Sequence, residues 1–385
     1  MSRFHSYLHS AAAILDQYSG NEPLASFLKK YFAQHKKFGS SDRKQVSHLC
    51  YCFFRLGKAV TSLPTEERII QALFLCSEKS HPLLAALAPE LNDKLPMPVA
   101  DKLLLLGIND TDIFPWQNEL CDDILFHAFV LSYSTQPDMF LRIRPGQEGG
   151  VLRKLTEAGI THTVIAPSCI ALPNTTKADS LLQLNKEAVI QDLSSQRVAQ
   201  LLQLLPAGNK QWKVWDCCAA SGGKSILVKD ILGNIDLTVS DIRPSITANL
   251  KKRFEEAGIS RYKSFTADLT DVAQLPSGKF DLIIADVPCS GSGTWGRTPE
   301  QLYHYDFTQT NTYAQLQQKI MSNVITRLTP GGYLLYITCS VFKKENEEMI
   351  AILQERKLQT VQVTLLKGYE EKADTMFAAL LQMPL

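Results

Sequence analysis

A chain of 385 residues, 45% hydrophobic and 21% charged, carries enough apolar material for two or three globular cores and is no small disulfide-stapled module. No apolar run approaches the roughly 20 residues of a membrane-crossing helix, and Met1-Ser2-Arg3-Phe4-His5 does not open a secretory signal, so a soluble, cytoplasmic chain with no membrane contact is expected. Forty basic against 39 acidic side chains leave a net charge of +1, which excludes a global field aimed at polyanions.

From Ser2 to about Gly107 the apolar spacing is helical, as in Leu24, Phe27, Leu28, Tyr31 and Phe32, then Val46, Leu49, Cys50, Phe53 and Phe54. Ser40-Ser41-Asp42-Arg43 reads as a loop feeding an N-cap. Residues 1–60 hold nine basic side chains (Arg3, Lys29, Lys30, Lys36, Lys37, Arg43, Lys44, Arg55, Lys58) against three acids, a local excess suited to phosphates or to a solvated helix face. A connector with an aromatic helix follows over 108–135. Alternation in Phe140-Leu141-Arg142-Ile143-Arg144 predicts a strand, Val151 to Ala158 a helix ended by Gly159, and Thr163 to Ile165 a short strand.

Beyond Pro206 strands and helices alternate. Strands are predicted over Lys213 to Trp215, Leu237 to Ser240, Tyr262 to Thr266, Phe280 to Ala285 and Tyr333 to Thr338, with a closing strand over Thr375 to Leu381 and a helix over Ser245 to Ala257. The spacing is that of a doubly wound, mostly parallel sheet. Asp216, Asp241, Asp268, Asp286 and Cys339 each follow a strand, so all five are expected on the carboxyl rim, where ligands bind such sheets.

The loop Cys217-Cys218-Ala219-Ala220-Ser221-Gly222-Gly223-Lys224-Ser225 ends like a phosphate-cradling loop, but Cys218 stands where that motif needs glycine, and GxGxxG is absent. What remains is a small-residue turn feeding a helix N-terminus that can hold a carboxylate. Asp241, 19 residues beyond Gly222, suits a ribose. A ribose, a carboxylate and a positive centre together describe S-adenosyl-L-methionine. Pro288 stiffens the segment that holds Cys289 on the rim, and Cys339 precedes a helix beginning near Lys343, whose N-terminus would favour a thiolate. The nine cysteines form no CxxC pair, and no metal site is expected.

With these segments in hand, the chain resembles the bacterial RsmB (Fmu/Sun) type of RNA cytosine-C5 methyltransferase, within the Nop/Sun superfamily. The resemblance lies in the loop from Asp216 to Lys224, in Asp241 and Asp268, and in Asp286-Val287-Pro288-Cys289 and Thr338-Cys339-Ser340. It implies a Rossmann-like class I α/β methyltransferase domain over 206–385. Lys36-Lys37-Phe38-Gly39-Ser40-Ser41-Asp42-Arg43 and Tyr51-Cys52-Phe53-Phe54-Arg55-Leu56-Gly57 resemble an all-α NusB-like RNA-binding domain, placed over 1–110. Leu141-Arg142-Ile143-Arg144-Pro145 and Gln191-Asp192-Leu193-Ser194-Ser195-Gln196 resemble a small α+β, RRM-like subdomain, placed with the connector over 111–205.

The resemblance further implies that Cys339 is the nucleophile, that Cys289 assists product release and that Asp286 serves both cofactor and cytosine. Cys218, Ala219, Ala220, Ser221, Gly222, Gly223, Lys224, Asp241, Asp268 and Asp286 would hold S-adenosyl-L-methionine. The substrate implied is RNA, ribosomal rather than transfer RNA, handled by a monomer. Three positions depart from the family pattern: Ser221 replaces a usual proline, Ile246 a frequent basic residue, and Gly296 one of two arginines. A DNA cytosine-C5 methyltransferase using Cys289 as nucleophile and a non-catalytic RNA-binding scaffold are the rival readings.

Overall fold

The computed structural model describes residues 3–208 and 210–385; Ser2, where the helical reading begins, lies outside them. Contacts divide the chain into two compact units, one drawn from residues 1–120, 124–136 and 294–306, the other from 121–123, 137–293 and 307–385. No helix among the described residues is long and apolar enough to cross a membrane.

The first unit is helical. Its main helices, Arg3–Leu15, Leu24–Gln34, Ser40–Arg55 and Thr65–Cys76, bury the faces that their periodicity marks out: Leu24, Leu28 and Phe32 in one, Val46, Leu49, Cys50, Phe53 and Phe54 in another. Ser40 to Arg43 form the first turn of a helix rather than a loop before it. Gly39 is the N-cap, and Asp42 returns to accept its N–H at 3.0 Å.

A later segment completes this unit. Glu300 accepts the N–H of Leu24 at 3.1 Å, Leu302 is fully buried, and Lys58 Nζ donates to the carbonyls of Tyr303 and Tyr305. The Arg55 guanidinium is buried, donating to the carbonyls of Tyr133, Thr135 and Gly296. Arg55 and Lys58 therefore leave the set of basic side chains open to phosphates, whereas Lys29, Lys36, Lys37, Arg43 and Lys44 are exposed.

The second unit holds two sheets. The smaller is antiparallel, in the order β2-β3-β1-β4, from β1 (Met139–Ile143), β2 (Thr163–Ala166), β3 (Cys169–Leu172) and β4 (Ala188–Ile190). One face packs Leu141, Ile143, Ile170 and Leu172 against Val151 and Leu155 of the helix Glu148–Glu157. Arg142 and Arg144 ion-pair with Asp230, at 2.6 and 2.7 Å, on the helix Gly223–Leu232. Removing one partner of such a buried pair costs about 3–5 kcal/mol.

The larger sheet runs β10-β11-β9-β8-β5-β6-β7, built from β5 (Trp212–Asp216), β6 (Ile235–Asp241), β7 (Tyr262–Thr266), β8 (Phe280–Asp286), β9 (Leu328–Thr338), β10 (Gln359–Leu366) and β11 (Met376–Gln382). β5 to β9 pair in parallel, and β11 is antiparallel to both β9 and β10, so the sheet is mixed. Alternate residues feed two cores: Val214, Leu282, Ile284 and Leu335 face one layer, and Trp215, Ile283, Ala285 and Leu334 the other. Strand order reverses between β5 and β8, which makes the crevice beyond their carboxyl ends the place for a ligand.

Candidate active site

The turn after β5 is stitched to the end of β6. Ser240 Oγ accepts from Trp215 Nε1 and donates to the Cys217 carbonyl, both at 3.0 Å, while Ala219 N–H reaches the Ser240 carbonyl at 2.9 Å. Ala220 adopts φ +45° and gives its N–H to Asp241 Oδ2 at 3.0 Å. Gly222 takes φ +83°, and a Cβ there would stand 2.5 Å from a Phe254 ring carbon, so glycine is required. At Gly223, where the helix begins, a Cβ would meet nothing within 4 Å. A half-buried turn with that open space and a ten-residue helix behind it has room for a ligand carboxylate.

The five strand-end residues do not play one role. Asp216 is fully buried beneath the turn, accepts the Ser225 hydroxyl at 2.5 Å, and has no hydrogen-bond partner on Oδ1. Burial pushes its carboxyl up to about 7. It supports the turn from below, whereas the sequence suggested a ligand contact. Asp241 stays below the usual carboxylate range: desolvation works against it, but the Arg243 guanidinium and the N–H groups of Arg243 and Ala220 prevail. Asp268 lies just beyond β7, and its Oδ1 accepts the N–H and hydroxyl of Thr270, which hold it low. Asp286 meets Lys224, whose Nζ lies 3.0 Å from Asp286 Oδ2 and 2.8 Å from Ser195 Oγ. The loop lysine thus bridges the ends of β5 and β8 and is committed to a carboxylate.

The two cysteines come together. Cys289 Sγ lies 3.4 Å from Cys339 Sγ, and both residues are half-buried. The Cys339 sulfur, with burial, pushes the Cys289 thiol well up and keeps it protonated. The regular helix after Cys339 starts at Glu347, behind a single 3₁₀ turn over Lys343–Glu345. No regular helix therefore begins directly at Cys339, and the Cys289 thiol is the group beside its sulfur.

Sequence reasoning missed the residue that sets this pair. Glu345 is fully buried and accepts the Ser290 N–H at 2.7 Å, the Ser290 hydroxyl at 2.6 Å and the Ser340 hydroxyl, so one carboxylate ties the residues that follow each cysteine. Burial raises its pKa against those bonds. Gly293 N–H donates to the Cys339 carbonyl at 2.8 Å, and a Cβ on Gly293 would collide with the Thr375 carbonyl. Gln317 fixes the Pro288 carbonyl at 2.9 Å. Of the departing positions, Ser221 bonds Arg253, Ile246 is half-buried on the helix Pro244–Glu256, and Gly296 offers its carbonyl to Arg55.

Comparisons with known proteins agree with this architecture. A family model described as 16S rRNA methyltransferase RsmB/F matches residues 175–382, more than half of the chain. Ribosomal RNA small subunit methyltransferase B of Xanthomonas campestris is 30% identical over 220 residues, covering 56% of this chain and 49% of that protein. The protein of that name from Proteus mirabilis is 30% identical over 241 residues, covering 59% and 54%. The chain thus spans about half the length of the curated relatives it matches. Among solved structures, PH0851 superposes with a TM-score of 0.67 at 17% identity over 98% of both chains. NSun6 from Pyrococcus horikoshii, solved with SFG, gives 0.59 at 13% identity over 71% of this chain and 96% of that one. At these identities the likeness is one of fold, the Rossmann-like α/β methyltransferase fold.

Proposed function

From the premise that the chain belongs to the RsmB/F family of 16S rRNA methyltransferases, S-adenosylmethionine-dependent enzymes, we propose that it methylates C5 of a cytosine in small-subunit ribosomal RNA through a covalent adduct on Cys339. The observation that carries this reading is the 3.4 Å approach of the two sulfurs on the rim that also bears the cofactor turn. S-adenosylmethionine supplies an electrophilic methyl group on a sulfonium. Cys218 to Lys224, Asp241, Asp268 and Asp286 would hold it, the turn taking the carboxylate and Asp241 the ribose in competition with Arg243.

Cytosine C5 is a poor nucleophile. The Cys339 thiolate adds to C6 and the electron pair passes to C5, making C5 nucleophilic enough to take the methyl group that S-adenosylmethionine would supply when bound, its sulfonium sulfur being the leaving group. Transfer of the C5 proton to solvent leaves its bonding pair to restore the C5–C6 double bond as the Cys339 sulfur departs as a thiolate with the C6–S pair. Cys289, protonated beside Cys339, stabilises the thiolate before attack and assists its release afterwards. Asp286 keeps Lys224 in place and serves the N3 edge of the base. Extruding the base from its stack costs a few kcal/mol, which favours a loop or junction nucleotide.

The remaining assignments complete the proposal. Residues 1–110 act as a NusB-like RNA-binding domain, 111–205 as a connector with an RRM-like subdomain, and 206–385 as the catalytic domain of a cytoplasmic monomer. The test is incubation with S-adenosylmethionine and unmethylated 16S rRNA, read by bisulfite sequencing, with 5-fluorocytidine RNA as a trap. Cys339→Ala is expected to abolish methylation and adduct; Cys289→Ala is expected to let the adduct accumulate. An adduct that survives in Cys339→Ala and vanishes in Cys289→Ala would return the assignment to the DNA-type mechanism, and absence of both products in the wild type would favour the scaffold.

A further inference from the structure

Three consecutive residues at the crest of the cofactor turn are fastened by three different groups. Ala220, at φ +45°, is held by Asp241 at 3.0 Å, and Gly222, at φ +83°, rests against the buried Phe254 ring. Ser221, between them, is gripped through two oxygens: Arg253 Nη1 donates to its carbonyl at 3.1 Å and to its hydroxyl. Adjacent residues of one helix, Arg253 and Phe254, thus meet adjacent residues of the turn. Arg253 Nε donates to Asn185 Oδ1 at 3.0 Å, and the Asn185 carbonyl accepts from Arg144. The grip on the turn is itself braced by the strand–helix layer beside β1.

Serine has no ring to restrict its backbone, and here it sits between two residues in the left-handed region, one of them not glycine. Such a turn relaxes unless something outside it holds the carbonyl. The guanidinium suits that task because its planar fork reaches Ser221 and Asn185 together, which a lysine ammonium cannot do in the same geometry.

We propose that Arg253 is a positioning residue for the cofactor, clamping Ser221 so that the turn keeps the shape S-adenosylmethionine needs. It rests on the cofactor reading above. A proline at 221 would supply by covalent restraint what Arg253 supplies by hydrogen bonding, so the two changes must be coupled if the clamp exists.

The experiment is calorimetric titration of the full chain with S-adenosylmethionine, for the wild type, Arg253→Ala, Ser221→Pro and the double variant. Loss of a charge-assisted clamp is expected to weaken binding about tenfold in the serine background. In the proline background the same change is expected to cost less than about threefold. Arg253→Lys, run in both backgrounds, repeats the cycle should the alanine variant fail to fold; it is expected to fall between wild type and alanine. In a turnover assay the effect appears in KM for S-adenosylmethionine and leaves kcat within about twofold. Equal weakening in both backgrounds, or none in either, overturns the clamp. A wild-type chain that takes up no S-adenosylmethionine overturns the cofactor reading instead, and the inference with it.

Discussion

Asp216 is the residue whose position and chemistry diverge most from expectation. A strand-end aspartate on a ligand rim invites a binding role, yet this one is buried and its carboxyl is raised to about 7. A carboxyl with a folded pKa above its unfolded value stabilises the fold at low pH. That contribution fades as pH rises from about 4 to about 7, because the unfolded chain releases the proton first. Asp216→Asn carries no such proton. Urea unfolding at several pH values is therefore expected to show wild-type stability falling relative to the variant across that window, by at most about 4 kcal/mol; parallel curves would contradict the assignment. Which side chains gather at the strand ends was legible from residue type and place after a strand. Which of them are buried was not, because a carboxylate at a strand end reads the same from either side of the turn. Glu345 was illegible for another reason: its partner Ser290 lies 55 positions away, and only the pairing of β8 with β9 brings the two loops together.

Among the elements, the parallel strands other than β7 were legible because each holds a short apolar run bounded by a turn or a helix; the structure extends β9 by five residues, from Tyr333 back to Leu328, and the others by fewer. β10 was not read, although Val361, Val363 and Leu365 alternate with polar residues. It is an edge strand with Val361 and Val363 largely exposed, so its pattern carries no apolar run. β3 and β4 were also missed: β3 is buried at all four positions and so shows no alternation, and β4 has only three residues. The turn after β5 makes a sharper test. Gly222→Ala forces a methyl group into the Phe254 ring at positive φ and is expected to destabilise the chain by about 1–3 kcal/mol. Gly223→Ala, one position on and in open space, is expected to leave the melting temperature within a degree or two of wild type. Equal melting temperatures for the two variants would mean that the turn is not held as described.

At the scale of the whole molecule, the near-neutral charge hides a basic segment of the helical unit with Lys29, Lys36, Lys37, Arg43 and Lys44 exposed, and Lys30 exposed but paired with Glu22. Each phosphate contact contributes nearly one unit to the slope of log affinity against log salt. Replacing Lys36, Lys37 and Arg43 by alanine is expected to flatten that slope for RNA by about two to three units, measured by filter binding across a salt series; an unchanged slope removes this segment from the interface. The helical unit is completed by residues 294–306, from which Glu300 reaches Leu24 and Leu302 packs beside Gly57. During synthesis the ribosome must therefore release almost all of the parallel strands before the amino-terminal helices can close around their last missing piece. The helical unit is thus completed only after four of the five parallel strands have been made, and before β9 to β11 follow, so the order of maturation is written into the path of the chain.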